Sequence, residues 1–448
     1  MKKSIIVVLV LMSIAAILPI VGNSFMKSTI NQRVSELESF GLRVEKQSSQ
    51  SSYLLTQRHF EFLLQDSAAF LEYLHKYSDQ QIPSYVNAIL NGVLIGVDLE
   101  YSNLPFEKAI EVEIYPLSLS ASMREDMKKE DLAFENYVEK FLESKSILYH
   151  IKYNLLNSKF KGYIKDIESS YSFDTELEVD VKLSGVKFSG EGDFIAPKEL
   201  KSKIKSFSVD IRNQKEALNI HFMKLSSESK FDSKNSYKTD MKLKALGVLL
   251  SGTQSDGNIT IKDLRISASL DDTKAKVQLE SKIKFKELHL ESKELFVNMK
   301  KYVFELQVEN LDKNKFEIFH SLSSKKYIQK SLFQLIEKGL TINIKEFSLK
   351  DVEVAKIGNI KGFNIETKLI IQEDSQLSQK IAISPLMVIG DLEIHTKIRI
   401  NKKMYSYIMQ NPGALIELSP YIKEDGDSVI FKIDFVDSQV SINGQVLQ

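Results

Sequence analysis

Seven histidines, at 59, 75, 150, 221, 289, 320 and 395, are the side chains of this 448-residue sequence best suited to metal or proton chemistry. Their spacing favours neither. No His-x-x-x-His or His-Glu-x-x-His occurs, so no two imidazoles share a helix face as a zinc site would need. Gly-x-Ser-x-Gly, the P-loop and Gly-x-Gly-x-x-Gly are missing as well. Gly185, Gly190 and Gly192 fall at the wrong intervals to cradle a phosphate and read as hairpin glycines. Glu424-Asp425-Gly426-Asp427 has the acidic density for calcium but lacks the alternating ligands and terminal Glu of a known loop, and reads as a turn. Lys282, Lys284 and Lys286 line one face of a strand, suited to guarding an edge or meeting lipid headgroups or peptidoglycan. Asn258-Ile259-Thr260, with Asp256 two residues earlier, resembles the extended sequon of bacteria that N-glycosylate exported proteins. That makes Asn258 the candidate modification site, in a stretch that also suits a type I′ turn. The 60 Asp and Glu supply material for a carboxylate-pair hydrolase but no spacing pattern. No catalytic residue, metal ligand or cofactor is assigned.

Whatever these side chains do, they must be positioned by a folded body. Hydrophobic content of 43% and charged content of 27% are too polar for a multi-pass membrane protein and too apolar for disorder. Sixty basic and sixty acidic residues cancel, leaving no long-range field to gather phosphates, so nucleic acid is not expected as a partner. Cysteine is absent, which excludes disulfides, thiolate metal sites and cysteine nucleophiles. Without tryptophan, any stacking platform falls to 25 Phe and 17 Tyr.

After Met1-Lys2-Lys3 the chain runs uncharged from Ile5 to Val21 and ends Ile20-Val21-Gly22-Asn23, with no Ala-x-Ala cleavage site. The run approaches the roughly 20 residues needed to cross a bilayer as a helix. Lys2 and Lys3 hold the short flank in the cytoplasm by the positive-inside rule, so the expectation is a single-pass inner-membrane anchor with the bulk periplasmic.

Beyond the anchor, Ile30, Val34 and Leu37 predict a helix over Ser28–Leu42 stopped by Gly41. Leu42–Lys46 and Leu54–Leu64 suggest a hairpin around the Gln/Ser-rich 47–52, the second segment being ambiguous between strand and helix. Helices are expected from Asp66 to Tyr77, from Pro83 to Leu90 and over Met123–Ser144. From residue 146 the period changes to two: Leu177, Val179, Val181 and Leu183 alternate with charges, as do Phe207, Val209 and Ile211, and Ile394, Thr396, Ile398 and Ile400. Val429–Phe435 and Val440–Ile442 read as a C-terminal hairpin. Helical interruptions at Lys315–Lys338 and Lys402–Leu418, the second broken at Pro412-Gly413, are expected to lie against the sheet. Charged outer faces mean antiparallel strands wet on one side. The predicted class is mainly β (α+β): an extended, curved antiparallel sheet with a few flanking helices and one N-terminal transmembrane helix. Four regions are expected: 1–24 flank and anchor, 25–145 mixed α/β, 146–310 β-rich, and 311–448 helix plus C-terminal sheet.

Ser331-Leu332-Phe333-Gln334-Leu335-Ile336-Glu337-Lys338-Gly339-Leu340, with Thr341–Ile344 and Phe347–Lys350 after it, resembles the core of the YdgA-like family, as does the ending Val440–Gln445. The resemblance implies a bacterial protein with one anchor and a large periplasmic β-rich body, and brings no catalytic residues. The family's Arg-Gly-hydrophobic-Ser-Ser stretch is not reproduced where Gln57-Arg58-His59-Phe60 stands. A long sheet with few helices to cover it suggests a non-enzymatic envelope scaffold or a binder of an apolar ligand such as a lipid. A carboxylate-based periplasmic hydrolase and a motility or surface accessory protein are the alternatives. The partners expected are the inner membrane, lipid and other envelope proteins.

Overall fold

The computed structural model describes residues 20, 23–77, 84–104, 109–173, 177–193, 197–233, 236–252, 256–272, 275–321, 331–332, 334–355, 358–410 and 420–447. It is mainly β, its pairings are antiparallel, and its contacts divide it into residues 1–214 and 215–448. That division falls within the stretch 146–310 expected to form one region.

In the first unit a helix over 23–39 buries Met26 and Ile30 and ends before Gly41, whose φ of +90° suits glycine alone. A meander follows: β1 (Leu42–Ser51), β2 (Leu55–Leu64), β3 (Leu94–Ser102), β4 (Ala109–Ser118), β5 (Tyr149–Asn154) and β6 (Lys159–Ile164), each paired with the next. β6 and β7 (Ile167–Phe173) act as one long strand, as do β8 (Leu177–Ser184) and β9 (Val186–Gly192). β6 pairs β9, β7 pairs β8, and β10 (Pro197–Asn213) pairs both β8 and β9 in one register. The ambiguous segment is strand β2, alternating buried Thr56, Arg58, Phe60, Phe62 and Leu64 with outward His59 and Glu61. Phe60, Phe62 and Leu64 meet Met26, Ile30, Leu42 and Tyr101 in the core, with Val34 and Leu37 packed alongside.

Two sequence expectations need correction in this unit. The Gln/Ser-rich stretch is not a turn: it continues β1 to Ser51, exposed on both faces and held by backbone pairing to β2. The single helix over Met123–Ser144 is two, Ala121–Glu130 and Leu132–Glu143. Asp131 between them is extended, and its carboxylate accepts from the amides of Ala133 at 2.8 Å and Phe134 at 3.1 Å. An N-cap inside an apparently continuous periodicity starts a second helix.

The second unit is a meander of long strands: β11 (Glu216–Ser233), β12 (Ser236–Gly252), β13 (Gly257–Asp271), β14 (Lys276–Ser292), β15 (Phe296–Asp312), β16 (Leu340–Val354), β17 (Gly358–Ile371) and β18 (Leu392–Asn401). β19 (Lys423–Asp425) precedes β20 (Ser428–Val436), which pairs β18, β19 and β21 (Gln439–Ile442); β22 (Gln445–Val446) pairs β21. The C-terminal hairpin is therefore as expected.

Across β11–β17 the alternation slips along one crossing line, and β16 slips a second time at Lys345-Glu346. Phe222, Leu246, Ile261, Leu288, Met299, Val352 and Ile360 are paired neighbours across the seven strands. Three positions along each strand lies a second apolar row, of Leu225, Leu243, Leu264, Phe285, Tyr302, Leu349 and Phe363. A spacing of three cannot keep one face on a two-residue pleat, so a residue per strand must leave regular β geometry. Lys224, Asp263 and Lys301 do so, with φ of +54°, +53° and +57°. The first unit shows the same device between Leu183 and Val186, where Gly185 has φ +63°. Because each of β11–β17 carries the slip, register survives and both rows stay on one face. The polar side then carries two residues where the apolar side carries none.

Among the described residues, two helices cover parts of that face. Helix Lys313–Ser321 brings Phe316 onto Leu270, Val277, Leu311 and Leu340, and helix Lys402–Met409 brings Tyr405 onto Ile400, Val429 and Phe431. Elsewhere on that face the buried residues among those described include Leu243, Leu349, Val352 and Ile360, beside the slip.

Among the described residues no helix is long and apolar enough to cross a membrane. The expected anchor Ile5–Val21 lies, apart from Ile20, outside the described residues, as do Pro83 and Pro412-Gly413.

Candidate functional site

Two surfaces have chemistry. The first is on the outward face of the first unit, where strand pairing aligns His59, Asp98, Glu113 and His150 across β2, β3, β4 and β5. They help line a shallow cavity of about 600 Å³. His59 Nδ1 lies 2.7 Å from Asp98 Oδ1 and its Nε2 lies 3.2 Å from Glu61 Oε1. The other Asp98 oxygen accepts from Lys145 Nζ at 2.7 Å and from the Tyr115 hydroxyl at 2.8 Å. Gly96 permits this, because a Cβ there would sit 2.4 Å from the Tyr115 ring. Lys145 also stands 3.9 Å above that ring's centroid. At the far end His150 stacks on Tyr163 with centroids 4.8 Å apart, and its Nδ1 is 3.6 Å from Glu113.

Burial pushes the Asp98 carboxyl up, but hydrogen bonds from Lys145, His59 and Tyr115 outweigh it and hold its pKa below the usual carboxylate value. Glu61 moves down through Lys46 and His59, and Glu111 through Lys152. A hydrolase needs one carboxyl raised so that it can donate a proton near neutrality. These three move the other way, and each is already held by a cation. Among the described residues no group of three His, Asp or Glu is placed to hold a metal ion. The row is therefore a cross-strand charge network, and its testable consequence is stability. With its folded pKa below the unfolded one, ionised Asp98 stabilises the fold at neutral pH, and the contribution is lost as pH falls below about 4. In urea titrations Asp98→Asn should be less stable than wild type at pH 7 and converge with it near pH 2; a gap that persists in acid contradicts this.

The second surface is the apolar side of the β11–β17 sheet in the second unit. Its aromatic band runs across four strands, with Phe285 and Tyr302 stacked at 4.6 Å and Phe347 edge-on to Tyr302, Phe304 and Phe363 at 6.1, 5.9 and 5.0 Å. Outside it, Ile220, Val248, Leu290 and Val297 extend the field half-exposed, with Ile259 41% exposed among them. Such a surface offers contact to hydrocarbon and no group for bond making.

The residues singled out in the sequence fall elsewhere. Glu424 pairs with Lys402 at 2.6 Å and Asp425 with Arg399, so the acidic run is a salt-bridged hairpin turn around Gly426, φ +57°. Of the three glycines read as hairpin residues, only Gly192 stands beside a connection. Gly185 joins β8 to β9, and Gly190 sits in β9 because a Cβ would strike the Phe160 ring at 2.3 Å. Lys282 pairs with Glu305, while Lys284 and Lys286 form no ion pair among the described residues. Asn258 lies in β13, paired with Leu249 and Glu291, its Oδ1 accepting from Thr260 Oγ1 at 3.2 Å. The histidine–carboxylate row escaped sequence reasoning because its members are 39, 15 and 37 residues apart; only the β2–β5 strand order brings them together. The chain matches no family model, no curated protein and no solved structure.

Proposed function

We propose that the chain is a non-enzymatic envelope protein of the YdgA-like kind, anchored in the inner membrane by Ile5–Val21 with its body periplasmic, and that it holds lipid acyl chains along the apolar trough of its second unit. The observation that carries this reading is the field of Leu, Ile, Val and Phe on β11–β17 left half-exposed by the two short helices. Contiguous apolar patches of this extent mark interaction sites. A hydrocarbon chain gains about 0.8 kcal/mol per buried CH₂, so sixteen carbons half covered gain about 6 kcal/mol. The apolar rows run across seven strands and are built mainly of Leu, Ile, Val and Phe, which suits a flexible chain better than a shaped small molecule. An anchor would keep it beside a bilayer that supplies such chains.

The fragment beginning at residue 25, prepared without detergent, should carry lipid detectable by mass spectrometry. It should also bind a fluorescent fatty acid saturably, with affinity lowered at least tenfold by Leu288→Asp. A fragment that is free of lipid and gives no saturable signal ends this reading.

A further inference from the structure

The opposite, polar side of the same sheet carries its own pattern. The slip inserts two side chains per strand there, and across β12–β16 these include Lys244, Lys262, Lys286, Lys300, Lys301 and Lys350, with Lys224 and Lys361 at the ends. Three carboxylates share the line and each is taken by one lysine: Asp263 by Lys244 at 2.8 Å, Glu287 by Lys262 at 2.9 Å and Asp351 by Lys361 at 2.6 Å. Lys224, Lys286, Lys300, Lys301 and Lys350 form no ion pair among the described residues. The adjoining row adds Lys242, Arg265 and Lys284, likewise without ion pairs there. Eleven cations against three anions stand out in a chain whose net charge is zero.

The borders of this band decide what it fits. On one side the next row holds Glu228, Asp240, Glu305, Glu346 and Glu366, with Lys282 in it and Lys345 beside Glu346 turned to Glu280 at 3.6 Å. On the other it holds His221, Gly247, Thr260, His289 and Asn298, with Glu353 beyond them. The cationic strip is thus two rows wide. Six inter-strand steps of about 4.8 Å make it about 29 Å long. A flat anionic bilayer would press the carboxylate row against like charge, whereas a single narrow chain would not. Ten of the eleven cations are lysines, point charges without the guanidinium fork that reads carboxylate geometry, so the band selects for charge density.

We propose that this band binds a linear phosphate polymer laid across the strands, on the face opposite the acyl-chain trough and independently of it. The full-length chain should bind inorganic polyphosphate of about 30 phosphates by fluorescence anisotropy. Affinity should fall steeply and linearly in log–log form with added salt, as counterion release requires. The triple variant K284Q/K286Q/K350Q changes only exposed side chains in extended backbone. It should bind at least tenfold more weakly with a shallower salt slope. The charge-matched control K293Q/K368Q/K397Q, outside the band, should bind as wild type, and matching circular dichroism melts keep folding out of the comparison. No binding at low salt, an equal loss in the control, or binding to poly-glutamate or phosphatidylglycerol vesicles as tight as to polyphosphate would each overturn the proposal.

Discussion

Deleting Lys286 is expected to unfold the second unit, while Lys286→Gln leaves it folded. The side chain is exposed and forms no ion pair among the described residues, so its chemistry is dispensable to the fold. Its place in the count is not. Phe285 and Leu288 share the apolar face only because two residues stand between them. With one removed, pairing that keeps Val277–Phe285 in register and follows the slip of the neighbouring strands turns Leu288 and Leu290 outward and carries His289 and Glu291 onto the apolar side. Each misplaced apolar side chain forfeits up to about 1.5–3 kcal/mol, and the buried carboxylate adds to the loss. A total of about 4 kcal/mol or more is a large part of what a domain has to spare. Thermal melts of the two variants decide the matter: a deletion that melts with wild type shows that the slip is no constraint on this strand.

Phe60→Ala should be the most damaging single substitution in the first unit, costing about 3–5 kcal/mol as a cavity-forming change in a closed core. Phe60 is 1% exposed, stacks on Phe62 at 5.6 Å and lies under the Arg58 guanidinium at 4.7 Å. Arg58 is itself buried and donates to Asn31 at 2.9 Å, and burial lowers its pKa. Truncating Phe60 therefore opens a void and removes the aromatic face on which a desolvated cation rests. Urea denaturation gives the difference, and a loss under 1 kcal/mol would mean that the helix over 23–39 collapses into the space.

The β-rich body was legible because charged residues alternate with apolar ones from Tyr149 onward, on either side of each slip. The aligned slip was hidden in the same pattern: read strand by strand, Phe285-Lys286-Glu287-Leu288 looks like an interruption, and it gains meaning only beside Met299-Lys300-Lys301-Tyr302 and Leu349-Lys350-Asp351-Val352 on neighbouring strands. Helix ends were harder, since Asp131 is one polar residue among many in a charged helical stretch and acts as a cap through backbone contacts that periodicity does not record. The lysine band was glimpsed only as Lys282, Lys284 and Lys286 along one strand. Its direction is across the strands, and a linear reading sees such a row one residue at a time.

The order of pairing in β11–β18 also bears on how the molecule is made. Each strand finds its partner in the segment synthesised just before it. Loop closure is short at five of these seven steps, the connections before β16 (313–339) and β18 (372–391) being longer, and the sheet can lengthen by one strand at a time as the chain emerges. Such an assembly line leaves one growing edge exposed at any moment, and the lysines that recur along each strand keep that edge from recruiting a neighbouring chain.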